Sequence, residues 1–282
     1  MKNAVLGAIV LFASAFAFTF GTASAQSGPQ FSENFFDFGD RKYFTINAPS
    51  LTLLTFGEKK GGSVFSNGRL VPDGQVARRF LPDLVRISRP VPISYSALQG
   101  LSFANLTSVS AQVDDGLAGV GSGPRVAQRI PLGDSRLRNV DLVALPVGLG
   151  DLSVVEVLNT QANVARARMK DEGNDARIVS IVWLVVEAQV ADALRSAQRL
   201  DVTVGRDGSL LLRPGVGATG RRSSGELVGA LTNTPAVAVA PGLVLAYLMN
   251  KVDQWEGDQI VSTQRDYYDE VVDQMSQVYG LD

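Results

Sequence analysis

Residues 177–187 hold Ile178, Val179, Ile181, Val182, Trp183, Leu184, Val185 and Val186, so eight of eleven positions are apolar. Such a run keeps no polar face for water, and its β-branched richness favours strand over helix. It is expected as a central strand buried on both faces, which requires a packed layer on each side. Residues 188–200 follow with good helix formers and place Val190, Leu194 and Ala197 on one face. Residues 201–204 and 209–212 flank Gly205-Arg206-Asp207-Gly208, a hairpin with a clear turn. This strand–helix–hairpin is the centre of the expected fold.

The N-terminal third reads differently. Phe31, Phe35, Phe36 and Phe38, then Tyr43, Phe44, Thr45 and Ile46, then residues 51–56 are aromatic and β-branched, which suits half-buried strands. Asn67-Gly68 lies between residues 63–66 and 69–71 and is a strong hairpin signal. Pro72-Asp73-Gly74 is expected to turn the chain again, and residues 75–87 to extend. Residues 107–113 and 139–145 read as further short strands. Asp151 is expected to cap a helix through Val154, Val155, Leu158, Ala162, Ala165 and Met169, or residues 152–158 form a strand before a shorter helix. Residues 242–255 and 258–279 read as helices.

The expected class is therefore α+β: a β-rich N-terminal part with hairpins, a mixed strand–helix–hairpin middle and a helical C-terminus. Four glycines and a proline within residues 116–124 mark a loop and a candidate boundary. The resulting division is 26–115 and 125–282, or one continuous domain over 26–282. No solenoid repeat is present.

Residues 1–25 have the grammar of a cleaved signal peptide: Lys2, an apolar stretch over 4–20, and Ala23-Ser24-Ala25 before Gln26. The alternative is an uncleaved anchor, because the apolar run approaches the roughly 20 residues that span a bilayer. The chain has no cysteine. Export without disulfides points to a bacterial periplasm, outer membrane or cell surface. Asn105-Leu106-Thr107 fits the glycosylation sequon, but in a bacterial protein it is an ordinary surface triplet.

Histidine is absent too, which removes Ser-His-Asp and Cys-His mechanisms. Without both residues, only oxygen-ligand metals fit, and neither metal nor cofactor is expected. Nothing points to nucleic acid. Residues 252–282 carry eight acids against Arg265 alone, whereas residues 26–251 carry 24 basic and 20 acidic groups. That asymmetry fits a solvated face on a more basic body, or an interaction tail.

Few residues offer chemistry. The glycines of 116–123 form neither a Walker A nor a GxGxxG pattern and are read as a connector. Arg221 and Arg222, in a glycine-rich stretch, are candidates for gripping a phosphate, sulfate or anionic glycan. Glu187 ends the most apolar segment and would become a general acid if burial raised its pKa. Asp115, Asp114, Asp141 or Glu156 would supply the second carboxylate of a glycoside hydrolase, with Trp183, Tyr247 or Trp255 stacking on a sugar. A water-exposed strand-end Glu187 is the plainer alternative. Residues 236–249 are nearly all apolar and read as a core strand entering a core helix. A membrane-touching hairpin would require the alternation this run lacks.

Tyr267, Tyr268, Val271, Val272 and Met275 recur at three- and four-residue spacing. They are expected as the apolar stripe of a C-terminal helix that docks on its own body, on a second copy or on an envelope partner. The sequence thus implies an exported, non-catalytic cell-envelope protein with an assembly, scaffolding or binding role, with room for peripheral membrane association. The alternative is a carboxylate-based hydrolase acting on envelope glycan.

Overall fold

The computed structural model describes residues 29–32, 34–60, 69–75, 84–99, 106, 108–111, 128–197, 199–204, 209–215, 236–240 and 242–269. It opens with β1 (Gln30–Phe31), β2 (Phe35–Phe38), β3 (Arg41–Phe44), β4 (Thr55–Lys60), β5 (Arg69–Gln75), β6 (Arg86–Ile87) and β7 (Val91–Ile93). Helix α1 (Tyr95–Gln99) precedes β8 (Ser108–Ala111), β9 (Gln128–Pro131) and β10 (Leu142–Gly148). Helices α2 (Asp151–Thr160) and α3 (Asn163–Glu172) lead to β11 (Ala176–Glu187) and α4 (Ala188–Arg195). The chain then forms β12 (Arg199–Val204), β13 (Leu210–Gly215), β14 (Val237–Val239), β15 (Val244–Glu256) and β16 (Gln259–Asp266). A mixed sheet with a few helices is α+β in the broad sense.

The expected central strand is β11. It pairs antiparallel with β10 along residues 181–187 and with β15 along 178–184. β4 joins its start, and β8 meets Val186 in parallel. The main sheet runs β1-β2-β3-β15-β11-β10-β6, with β16 beside β15, while β12-β13-β14 form a second, three-stranded sheet. Alternation along β11 feeds two cores. Val182, Leu184 and Val186 face α2, α3, α4 and the small sheet. Trp183 and Val185 face α1, β7, β8 and β9. Each such side chain contributes about 1.5–3 kcal/mol on burial, so this strand anchors both layers.

Several local expectations are corrected. The expected helix over 242–255 is β15, a strand with apolar groups on both faces: Val244, Tyr247 and Met249 enter one core, Leu245 and Ala246 the other. A continuous apolar run does not separate buried strand from buried helix by period, and pairing with β11 overrides the helix propensity of Leu, Ala and Met. The expected helix from 258 is β16 as far as Asp266. Gly257, at φ 61, takes the first place of a two-residue turn that folds β16 back along β15, and Ile260 points inward while Val261 points out. Residues 270–282 lie outside the described residues.

Pro72-Asp73-Gly74 does not turn the chain; it lies inside β5, where Asp73 is the extra residue of a bulge opposite Phe56 and Gly57. Asn67-Gly68 and Gly205 to Gly208 fall outside the described residues, although the strands on either side pair antiparallel as hairpins do. Residues 151–169 form two helices rather than one, with Gly150 rather than Asp151 at the cap. Leu54 enters β4 at φ 64, a costly conformation for leucine; complete burial and its N–H bond to Val179 O (2.9 Å) hold it there.

Candidate functional site

One charge cluster among the described residues joins three strands. Asp266 at the end of β16 accepts two bonds from Lys59 Nζ of β4, at 3.1 and 3.0 Å, and one from Arg177 Nε of β11 at 2.6 Å. Arg177 also donates to Asn174 O at 2.5 Å and Ala176 O at 2.9 Å. Side-chain exposures are 14 %, 15 % and 10 % for Lys59, Asp266 and Arg177, so these charges work in a poorly solvated seam. Burial pulls the Lys59 amine below its ordinary pKa, and Asp266 pulls it partly back. The Phe44 ring lies 5.2 Å from the ammonium.

A second network centres on Asn250, which is wholly buried in β15. Its Oδ1 accepts from Ser180 Oγ at 2.5 Å, and its Nδ2 donates to Asp151 Oδ1 at 3.0 Å and Thr263 Oγ1 at 3.1 Å. Asp151 also receives Arg265 Nε at 3.0 Å. These bonds fix β15 against β11, β16 and the start of α2, where a carboxylate favours the helix N-terminus.

A third cluster is aromatic. Trp183 lies opposite Ala246 in the neighbouring strand, and that small side chain lets the indole reach across β15. It meets Phe36 at 4.8 Å, Tyr43 at 5.0 Å and Phe38 at 5.6 Å, all edge to face. Tyr267 continues the group against Tyr43, and Arg41 lies 4.5 Å over its ring. Burial pushes the Tyr43 hydroxyl up to about 12, with Tyr267 adding to the effect. Phe31, Phe38, Tyr43 and Tyr267 are half-buried, so this cluster reaches the surface.

A carboxyl group lies at the end of α3. Glu172 faces Asp73, the bulge residue of β5, with Glu58 nearby and Arg168 opposing them; burial, then Asp73, raises its pKa from 4.5 to about 7. No donor among the described residues reaches the buried Glu172 Oε2. Among the described residues, no group of three acids could hold a metal ion.

The structure separates the residues expected to act together. Glu187 lies at the end of β11, paired with Leu142 of β10, and is 9 % exposed, so the exposed alternative is corrected. Asp141 and Glu156 are exposed, and Asp115, Asp114, Arg221 and Arg222 lie outside the described residues. Trp183 and Tyr247 are core residues rather than sugar platforms. Tyr267 and Tyr268 follow β16 and belong to neither strand nor helix; Tyr268 packs on Phe35 at 5.1 Å and Phe44 at 5.6 Å. Val271, Val272 and Met275 lie outside the described residues. The described part of 236–249 is buried in the protein's own sheets, apart from Ala238 and Gly242, which are half-buried.

Sequence reasoning misses Lys59, Arg177, Asp266 and Asn250. Two signals exist: Arg177 opens the most apolar strand, and Asn250 follows an apolar run, so each needs a buried partner. No family model matches the chain, and neither a curated protein nor a solved structure matches it.

Proposed function

We propose that this is an exported, non-catalytic protein of a bacterial cell envelope that serves assembly, scaffolding or binding. One observation carries the non-catalytic part: two polar clusters among the described residues, Lys59–Arg177–Asp266 and Ser180–Asn250–Asp151, use their bonds to join β4, β11, β15, β16 and the start of α2. The half-buried Phe31, Phe38, Tyr43 and Tyr267 with Arg41 supply a surface suited to contact, since aromatic and arginine side chains are enriched where proteins bind. The signal-peptide grammar of residues 1–25 supports export. The apolar spacing of Val271, Val272 and Met275 supports a self-association or envelope-partner role for the end of the chain. A carboxylate hydrolase acting on envelope glycan is the second reading, favoured by the burial of Glu187.

The test is fractionation of a bacterial host followed by native mass measurement, with Glu187→Gln beside the wild type. The expected result is a chain beginning at Gln26 in the envelope fraction, with Glu187→Gln matching it in assembly and in glycan turnover. A chain that keeps residues 1–25 in the membrane would overturn cleavage. Loss of glycan turnover in Glu187→Gln, at an unchanged melting temperature, would put the hydrolase first.

A further inference from the structure

β16 pairs with β15 alone among the described strands, so its far edge carries backbone groups that no strand takes. Glu256 and Gln259 face each other across the two-residue turn. In an antiparallel pair the bonding direction alternates, which turns the N–H and C=O of Ile260 away from β15. One side chain meets both groups. Asn159, near the end of α2, donates from Nδ2 to Ile260 O at 2.8 Å and accepts at Oδ1 from Ile260 N at 2.9 Å. A neighbouring strand would make that same pair of bonds.

The segment behind this contact is the kind that joins sheets. Residues 259–264 read Gln-Ile-Val-Ser-Thr-Gln, without charge, proline or glycine. Six-residue stretches of that character pair readily with copies of themselves. Val261 is 48 % exposed on it. Its ends are guarded: Lys170 bonds Gly257 O at 3.1 Å and pairs with Asp258, and Arg265 and Asp266 supply charge beyond Gln264.

We infer that Asn159 is an edge plug: it stands in for a strand at Ile260 and keeps two copies of this chain from joining their sheets through β16. The occupant it excludes is the 259–264 segment of a second copy, because identical segments match in residue type and length. Natural sheets cover vulnerable edges with helices; here α2 lies against β16, and its Asn159 amide reproduces strand bonding at Ile260.

The experiment compares the mature wild-type protein with Asn159→Ala, Asn159→Asp and the double variant Asn159→Ala/Val261→Lys. It reads hydrogen exchange at Ile260, sedimentation across concentration, and infrared bands of mixed labelled and unlabelled chains. In Asn159→Ala the Ile260 amide is expected to exchange about tenfold faster, as loss of a net hydrogen bond implies. That variant is also expected to associate with concentration and show an intermolecular strand band. Asn159→Asp keeps the acceptor and loses the donor, so it falls between the two, and it decides the matter should Asn159→Ala fail to fold. The double variant is expected to sediment as wild type while Ile260 stays fast. Unchanged Ile260 exchange in the single variants, wild-type sedimentation in them, or association that Val261→Lys does not suppress would each overturn the plug.

Discussion

Replacing Asp266 by Asn tests whether the Lys59–Arg177–Asp266 seam holds β16 onto β4 and β11. The change keeps the shape and removes the carboxylate that receives Lys59 at 3.0 Å and Arg177 at 2.6 Å. Arg177 retains its bonds to Asn174 O and Ala176 O, whereas Lys59 retains the Phe44 ring. Removing one member of a buried ion pair costs about 3–5 kcal/mol, because a desolvated charge is left uncompensated. Exposures of 10–15 % place this seam just short of full burial, so about 3 kcal/mol is expected. For a domain of this size that lowers the melting temperature by about 6–12 °C. The cost has a pH signature. The Lys59 pKa is already lowered by burial, and Asp266 is the counterweight. Without it the native amine releases its proton more readily than the unfolded amine, whose pKa is 10.5. The native state then binds fewer protons than the unfolded state, so stability rises with pH through the interval below 10.5. Urea unfolding near pH 7 and again in mild alkali should show the deficit shrinking as pH rises. A variant within about 0.5 kcal/mol of wild type at pH 7, the scatter of an ordinary surface substitution, would refute the seam. A deficit equal at both pH values would refute the part assigned to Lys59.

Ala246→Leu places bulk beneath Trp183; overpacking of this kind costs about 1–3 kcal/mol, read as a lower melting temperature with a changed near-ultraviolet tryptophan signal. Glu172 holds a proton in the native state that the unfolded chain has released, so stability should fall as pH rises from 4.5 to about 7. Glu172→Gln should flatten that slope, which amounts to about 1 kcal/mol after allowance for partial solvation, measured by unfolding at pH 4.5 and 7.5; an equal slope in the variant would dismiss the carboxyl contact with Asp73.

What the sequence reveals is what short range decides. Residues 177–187 declare β11 because eight apolar side chains there admit no solvent face, and the structure spends them on two cores. Residues 201–204 and 209–212 declare two paired strands, and β12 pairs antiparallel with β13. β15 and β16 fail the same reading. Leu245, Ala246, Leu248 and Met249 favour helix intrinsically, and pairing of β15 with β11 on one side and with β3 and β16 on the other makes them strand. A signal for the second error is present: Gly257-Asp258 sits between segments rich in Val, Ile, Trp and Thr, the pattern of a two-residue hairpin turn. The three- and four-residue spacing beyond it prevails in the reading because Ile260-Val261 and Tyr267-Tyr268 supply adjacent apolar pairs, which fit a helical stripe as easily as a strand with one side chain in and one out.

The polar clusters fail for a different reason, which no better pattern rule repairs. Lys59 and Asp266 are 207 residues apart, Arg177 and Asp266 89, Ser180 and Asn250 70, and Asn159 and Ile260 101. A motif works when the chemistry it serves is held by one turn or one helix, so that spacing and geometry coincide. Here the geometry comes from pairing register: the residues meet because β15 bridges β11 and β16, where Asn250 pairs with Ile178 and Arg265, Ser180 is passed over between Val179 and Ile181, and Thr263 faces Val252. A one-residue slip would turn Asn250 to the opposite face and leave its amide unsatisfied there. The same slip would carry Ile260 away from Asn159. These polar residues therefore enforce the register that assembles them, and each becomes visible only once the sheet is formed.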